Sequence, residues 1–405
     1  MPPMTRAGLP WPADARIVLV AKAARTCCYG FLGILLPIYL SELGVGARGV
    51  GVMVTLTLAS SAALTWGVRR PAERWGARVA LIGLAALSLG AAAMLLLSRA
   101  PWLVIAAAML GNVAVGAGET GPFLTLEQVV VTRAVAGGRL PFALSLYNLV
   151  GYAAGALGAG CAALFPASAL FAVFAAGALL QIAAYARLRG ASRPGERRSL
   201  PLAALPSAPI IRRLAALFAL DSLAGGFVLQ SLIAYWFYVR YGLRLDSLGA
   251  IFFTAQILTA LSFLGAARLA QRIGLINTMV FTHLGSNVLL IAMAFAPSAP
   301  WAVGFLLARQ LFSQMDVPTR QAYVMSVVED REREAAASVT NLSRTVAQAI
   351  TPTVTGYVMQ AIGLSAPFVL GGGLKIVYDL LLYATFRRIR PRAAGAGVTA
   401  VGPIP

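Results

Sequence analysis

An all-α membrane protein of twelve transmembrane helices in two pseudo-symmetric six-helix bundles is predicted by three features of this 405-residue chain. Long apolar stretches recur from Ile17 to Phe386, arginines crowd alternate gaps between them, and the two halves share a register of matching residues. A hydrocarbon core about 30 Å thick takes about 20 apolar residues per helix, and lipid offers no partner to an unpaired backbone group. Helical spans are therefore expected at 17–40, 49–67, 79–97, 102–124, 142–164, 168–186, 214–238, 247–266, 275–296, 301–324, 336–360 and 366–386.

The gaps assigned to the cytoplasm, with both termini, hold 23 arginines, and the opposite gaps hold four: Arg48, Arg99, Arg240 and Arg244. That bias puts both termini in the cytoplasm, in a multi-pass protein of the cytoplasmic (inner) membrane. A net charge of +19 would suggest nucleic acid in a soluble chain, but 59% of residues are hydrophobic and the basic ones are spread over short loops on one side. Anionic lipids are the expected partner instead, with no nucleic acid, and a monomer is expected. The polar interruption from Arg187 to Arg213 is rich in arginine, proline and glycine. It divides the chain into an N-terminal half (1–188), a cytoplasmic linker (189–213), a C-terminal half (214–390) and a disordered tail (391–405). The first apolar run is too long for a signal peptide and carries Lys22 and Arg25, so it is expected to remain in the mature protein.

The internal repeat keeps its register. At a separation of 196, Gly30, Phe31, Tyr39, Pro122, Leu146, Val150 and Gly160 match Gly226, Phe227, Tyr235, Pro318, Leu342, Val346 and Gly356; at 198, Gly67, Arg70, Arg74 and Gly76 match Gly265, Arg268, Arg272 and Gly274. Repeated halves are the architecture of secondary transporters.

The loop Glu73-Arg74-Trp75-Gly76-Ala77-Arg78, its second copy Gln271-Arg272-Ile273-Gly274, and the stretches Glu119-Thr120-Gly121-Pro122-Phe123 with Glu127-Gln128 and Met315-Asp316-Val317-Pro318-Thr319-Arg320 carry a resemblance. Over its whole length the chain resembles the major facilitator superfamily, and in those stretches its bacterial and fungal drug or general-substrate branch, which is drug:proton antiporter-like. Glutamate replaces the aspartate of the superfamily's loop signature, and Arg69 stands at an expected glycine. The resemblance implies the major facilitator fold, a cytoplasmic gate at Glu73, Arg74 and Gly76, and a cavity lined by spans one, four, seven and ten. Arg309, in span ten, stands in the place of an arginine that drug:proton antiporters have in span four, where this chain has Asn112. Of the fifth-span antiporter motif, Gly151, Gly155, Gly158 and Gly160 are present, with Ala156 at the proline position.

An ionisable side chain at membrane depth costs about 2.5–3.5 kcal/mol on insertion scales and marks a pathway or a wet cavity. Arg25, Glu119, Asp221, Arg309, Asp316 and Arg344 qualify. Arg25 and Asp221 are repeat equivalents and expected neighbours, either as a structural pair or as part of a transport cycle. Arg309 and Asp316 lie seven residues apart, two helical turns, and so share one face. Glu119 has no base at Asn112 and is expected to exchange protons. Lys375 and Asp379 are spaced as an ordinary i,i+4 pair. Gln230 and Gln256 suit a hydrogen bond to substrate or between helices. Tyr235, Trp236 and Tyr238 suit an aromatic belt. His283 is the only histidine, and Cys27, Cys28 and Cys161 lack metal spacing, so neither an enzyme nor a cofactor is expected.

These readings converge on a secondary active transporter of a small molecule, with proton-coupled efflux of a cationic or neutral amphiphilic drug or metabolite first and an organic-anion carrier using the core arginines second. A non-transporting membrane sensor of the same fold stands third. The charge bias has a direct test. In a background without native cysteines, single cysteines at Ser192 and Ser298 should label from opposite sides of the membrane; equal labelling from outside would remove the twelve-span topology.

Overall fold

The computed structural model describes residues 11–116, 121–135, 140–189, 206–328 and 332–387. Among them the chain forms fifteen α-helices: α1 (Ala13–Glu42), α2 (Ala47–Gly67), α3 (Arg69–Leu97), α4 (Pro101–Leu110), α5 (Pro122–Ala134), α6 (Leu140–Leu164), α7 (Ala167–Tyr185), α8 (Ala208–Gly226), α9 (Gln230–Tyr241), α10 (Leu245–Ile273), α11 (Leu275–Ala294), α12 (Ala299–Ser313), α13 (Asp316–Val327), α14 (Arg333–Ala361) and α15 (Ala366–Phe386). The twelve expected spans account for all fifteen, because the fourth, seventh and tenth are each cut in two. Eight stretches, among them Ala13–Glu42 and the joined Ala208–Tyr241, are long and apolar enough to cross a membrane.

The breaks have local causes. After Gly111 the backbone of Asn112 turns to φ 47°, a left-handed conformation that asparagine tolerates better than most side chains. Gly121, at φ 113°, then delivers the chain to Pro122, whose missing N–H costs nothing at a helix start. The fourth span therefore runs on to Ala134 rather than ending near residue 124. Gly225 and Gly226 close α8, and α9 restarts at Gln230. The third span starts earlier than expected, at Arg69, with Gly76 at φ 87° and ψ 160° interrupting its first turns. Gly274, the repeat equivalent of Gly76, has φ 86° and ψ 164°. A side chain at either position would be strained, so the repeat is written in backbone conformation as well as in residue type.

The helices form two compact units, one of Met1–Glu196 with Leu229–Ile257 and the other of Arg197–Val228 with Leu258–Pro405. In the first, α1 packs along α6 and α7, and α3 along α7. Small residues let the α1 and α6 backbones touch: a Cβ on Gly158 would collide with the Cys27 carbonyl oxygen, and one on Gly30 with that of Gly155. One end of this unit closes over Val18, Leu81, Phe123, Tyr147 and Tyr185. The segment 229–257 belongs here through Ser231, whose hydroxyl donates to the Gly33 carbonyl (2.7 Å). In the second unit α8 packs on α14 and α11 on α15, around Ile211, Leu214, Phe218, Tyr323 and Phe386. The aromatic-belt expectation fails for two of its three residues: Trp236 and Tyr235 are buried, Trp236 completely, against Phe237 and Tyr241.

The α1/α6 seam predicts an asymmetry between glycines. Gly158→Val should destabilise the protein by about 1–3 kcal/mol through overpacking, lowering its melting temperature in detergent. Gly67→Ala, where an added Cβ meets no atom within 4 Å, should melt with wild type; equal shifts in both would contradict the seam.

Candidate functional site

Each unit carries its own buried charge cluster. In the first, Arg25 on α1 forms a two-pronged ion pair with Glu127 on α5: Nη1 donates to Oε1 (3.0 Å) and Nη2 to Oε2 (2.6 Å). The Tyr147 hydroxyl on α6 donates to the same carboxylate (2.6 Å), and so does that of Tyr185 on α7 (2.5 Å), which also accepts from Arg25 (2.8 Å). The guanidinium lies 4.4 Å from the Phe123 ring centre, and the Lys22 ammonium 3.8 Å from that of Tyr147. All four members of the cluster are essentially inaccessible. Four helices thus meet on one satisfied ion pair, whose carboxylate is there because the fourth span resumes at Pro122 and continues past Glu127.

In the second unit the charges form a connected network. Asp221 on α8 accepts from the Lys375 ammonium on α15 (2.6 Å), with Arg320 on α13 at 3.5 Å. His283 on α11 stands between two carboxylates, its Nδ1 2.8 Å from Asp379 Oδ1 and its Nε2 3.7 Å from Asp221 Oδ1. The second oxygen of Asp379 accepts from Asn287 (2.9 Å). Arg320 donates to Asp316 (2.7 Å), one turn before it on α13. Arg344 on α14 donates from Nε to the Ser222 hydroxyl (3.0 Å). Arg309 on α12 donates to Gln310 Oε1 (3.3 Å).

Three expected pairings are thereby replaced. Arg25 and Asp221 are each neutralised inside their own unit, by Glu127 and Lys375. Lys375 and Asp379, one turn apart on α15, point to different partners, Asp221 and His283. The break at Gln314 and Met315 ends the helical register between Arg309 and Asp316, and Asp316 takes Arg320 instead. Gln230 is buried at the first position of α9, and Gln256 is buried with its Oε1 unpartnered. In the loop expected to gate, Glu73 and Arg74 are exposed and make no ion pair among the described residues, while Gly76 marks the kink in α3. Glu119 lies outside the described residues. The residues that sequence reasoning passed over as sites are Glu127, Arg320 and His283. Glu127 fell beyond the expected end of its span, whereas a lone histidine inside an apolar stretch was a visible signal. No group of three or more potential metal ligands occurs among the described residues.

Residues 18–313 match the sequence profile of the Major Facilitator Superfamily. An uncharacterized membrane protein of Saccharomyces cerevisiae is 22% identical over 422 residues, covering 92% of this chain and 94% of the yeast protein. Among solved structures, the nucleoside transporter NupG superposes with a TM-score of 0.70 at 14% identity, over 92% of this chain and 99% of its own. The human organic anion transporter MFSD10 does so with 0.65 at 17%, over 91% and 99%. A D-xylose-proton symporter gives 0.68 at 13%, over 92% and 96%. At these identities the structural likeness carries the fold.

The Arg25–Glu127 pair makes a stability prediction. Removing one partner strands a buried charge, so Arg25→Leu or Glu127→Leu alone should cost about 3–5 kcal/mol. The double variant should recover most of that loss, stopping short of wild type because Tyr147 and Tyr185 lose their acceptor. Additive losses, read from thermal unfolding of the purified chain, would exclude the pair as the source.

Proposed function

Because the chain belongs to the Major Facilitator Superfamily, whose profile spans most of its length, we propose that it is a secondary active transporter which moves a small amphiphilic molecule across the cytoplasmic membrane by alternating access, coupled to protons and in the export direction. The observation that carries proton coupling is the His283 imidazole held between Asp379 and Asp221. An imidazole can carry a proton on either ring nitrogen. Here each nitrogen faces a carboxylate, so a proton taken up on one side can be given up on the other without a charge crossing the apolar interior alone. Lys375 and Arg320 pair with Asp221 at one end of this chain of groups, and Asn287 holds Asp379 in line at the other. Buried ionisable groups of this kind mark ion pathways in membrane proteins. Glu119, on the fourth span, is a second acid for the same task.

The structures it resembles include transporters of nucleosides, of organic anions and of D-xylose with protons, so the fold supports small-molecule transport without fixing one cargo. Membership of a transporter superfamily favours this reading over an enzyme.

The test is a compound panel on proteoliposomes with an imposed pH gradient and a trapped pH-sensitive dye. Wild type should release protons on addition of a transported compound, and His283→Gln, checked for folding by its melting curve, should lose at least nine-tenths of that response. A folded His283→Gln protein with wild-type proton movement would remove the relay from the mechanism.

A further inference from the structure

Two cations in the interior of the second unit go without a bonded carboxylate. Arg309, Arg320, Arg344 and Lys375 stand near Asp221, Asp316 and Asp379, while the buried Glu332 is bonded to Ser207. Lys375 takes Asp221 and Arg320 takes Asp316, while Asp379 is used by His283 and Asn287. Two guanidiniums therefore have no carboxylate within 4 Å among the described residues. Arg344 is half-buried and bonds a hydroxyl. Arg309 is nine-tenths buried, and among the described residues its single hydrogen bond is a long one to the neutral amide of Gln310 and its Nε has no partner. Gln310 is shared with the Ser313 hydroxyl (3.0 Å), which further weakens its claim on the guanidinium. Burying a guanidinium without a carboxylate is strongly unfavourable. A structural role would have supplied a carboxylate, as it has for Arg25 in the first unit.

We propose that the cargo carries an anionic group, that Arg309 receives it with Arg344 as the second guanidinium, and that the substrate class is an amphiphilic organic anion such as an aromatic carboxylate. The guanidinium's planar fork matches a carboxylate in two-pronged geometry, and the surrounding apolar helices suit the remainder of an amphiphile. The word cargo rests on the transport reading above; the binding site does not. It also puts the anion ahead of the cationic or neutral amphiphile expected from resemblance.

Binding and flux separate the two ideas. The purified full-length chain in detergent is titrated with benzoate, 1-naphthoate and 2-naphthylacetate, and with the neutral amide of each, following the melting temperature; the same compounds are then assayed for flux in proteoliposomes. At least one acid should bind while its amide does not, and Arg309→Gln should weaken that acid about tenfold or more, the size expected when a charge-assisted hydrogen bond is lost. Arg309→Lys, which keeps the charge and loses the fork, should fall between the two, and it serves alone if the glutamine variant does not fold. Binding by none of the acids, equal binding of acid and amide, or acid binding unchanged in the Arg309 variants would overturn the proposal. Acid binding that depends on Arg309 without any flux would leave the anion site standing and remove the transport reading instead.

Discussion

A charge withdrawn from water must find its opposite inside the protein, and that requirement organises both units of this chain. In the first unit it is met completely. Arg25 and Glu127, from helices 102 residues apart, share a two-pronged bond, two tyrosines fill the remaining acceptor sites of the carboxylate, and an aromatic ring faces the guanidinium. Nothing in that cluster is left to exchange, so its consequence is rigidity: α1, α5, α6 and α7 are fixed to one another at a single point. The glycine seam between α1 and α6 serves the same end by another means, bringing the two backbones into contact.

The second unit meets the requirement only in part. Two of its carboxylates are shared, Asp221 among Lys375, Arg320 and His283 and Asp379 between His283 and Asn287, so that no partner holds either acid exclusively. Shared hydrogen bonds of this kind can be redistributed by a shift of one helix or the arrival of one proton, since the competing arrangements keep every acid paired. The contrast is between a cluster whose bonds are all satisfied within one pair and its tyrosines and one whose acids are divided among several partners. Repeat symmetry therefore extends to backbone, as Gly76 and Gly274 show, but not to electrostatics.

What could be read from the residues follows the range of the physics involved. Spans were legible because hydrophobicity over about 20 residues is a local property, and the kink glycines because only glycine is at ease at their φ values. The breaks were half legible. Pro122 and the glycine pair before Phe227 were visible, but whether a helix stops there depends on what satisfies the freed backbone, such as Val115 accepting from the Ser231 amide (3.2 Å). Ion partners were not legible. Spacing suggested Lys375 with Asp379 and Arg309 with Asp316, yet Lys375 meets Asp221 across a helix interface, and the break at Gln314 and Met315 separates Arg309 from Asp316, which pairs with Arg320 one turn on. The expected pair of Arg25 with Asp221 came from repeat arithmetic, which aligns positions and says nothing about which side chains meet. The residues of the fourth span near Glu119 remain an expectation from sequence.

The solitary imidazole has a practical corollary. With one histidine in 405 residues, isotope-labelled histidine yields a single set of ring resonances, free of background from other histidines, at the centre of the second unit's network. Its nitrogen shifts distinguish the two neutral tautomers from the protonated ring, and so report which of its two flanking acids holds the hydrogen bond. The chain thus contains its own spectroscopic reporter, placed where the charges are shared and requiring no engineered label.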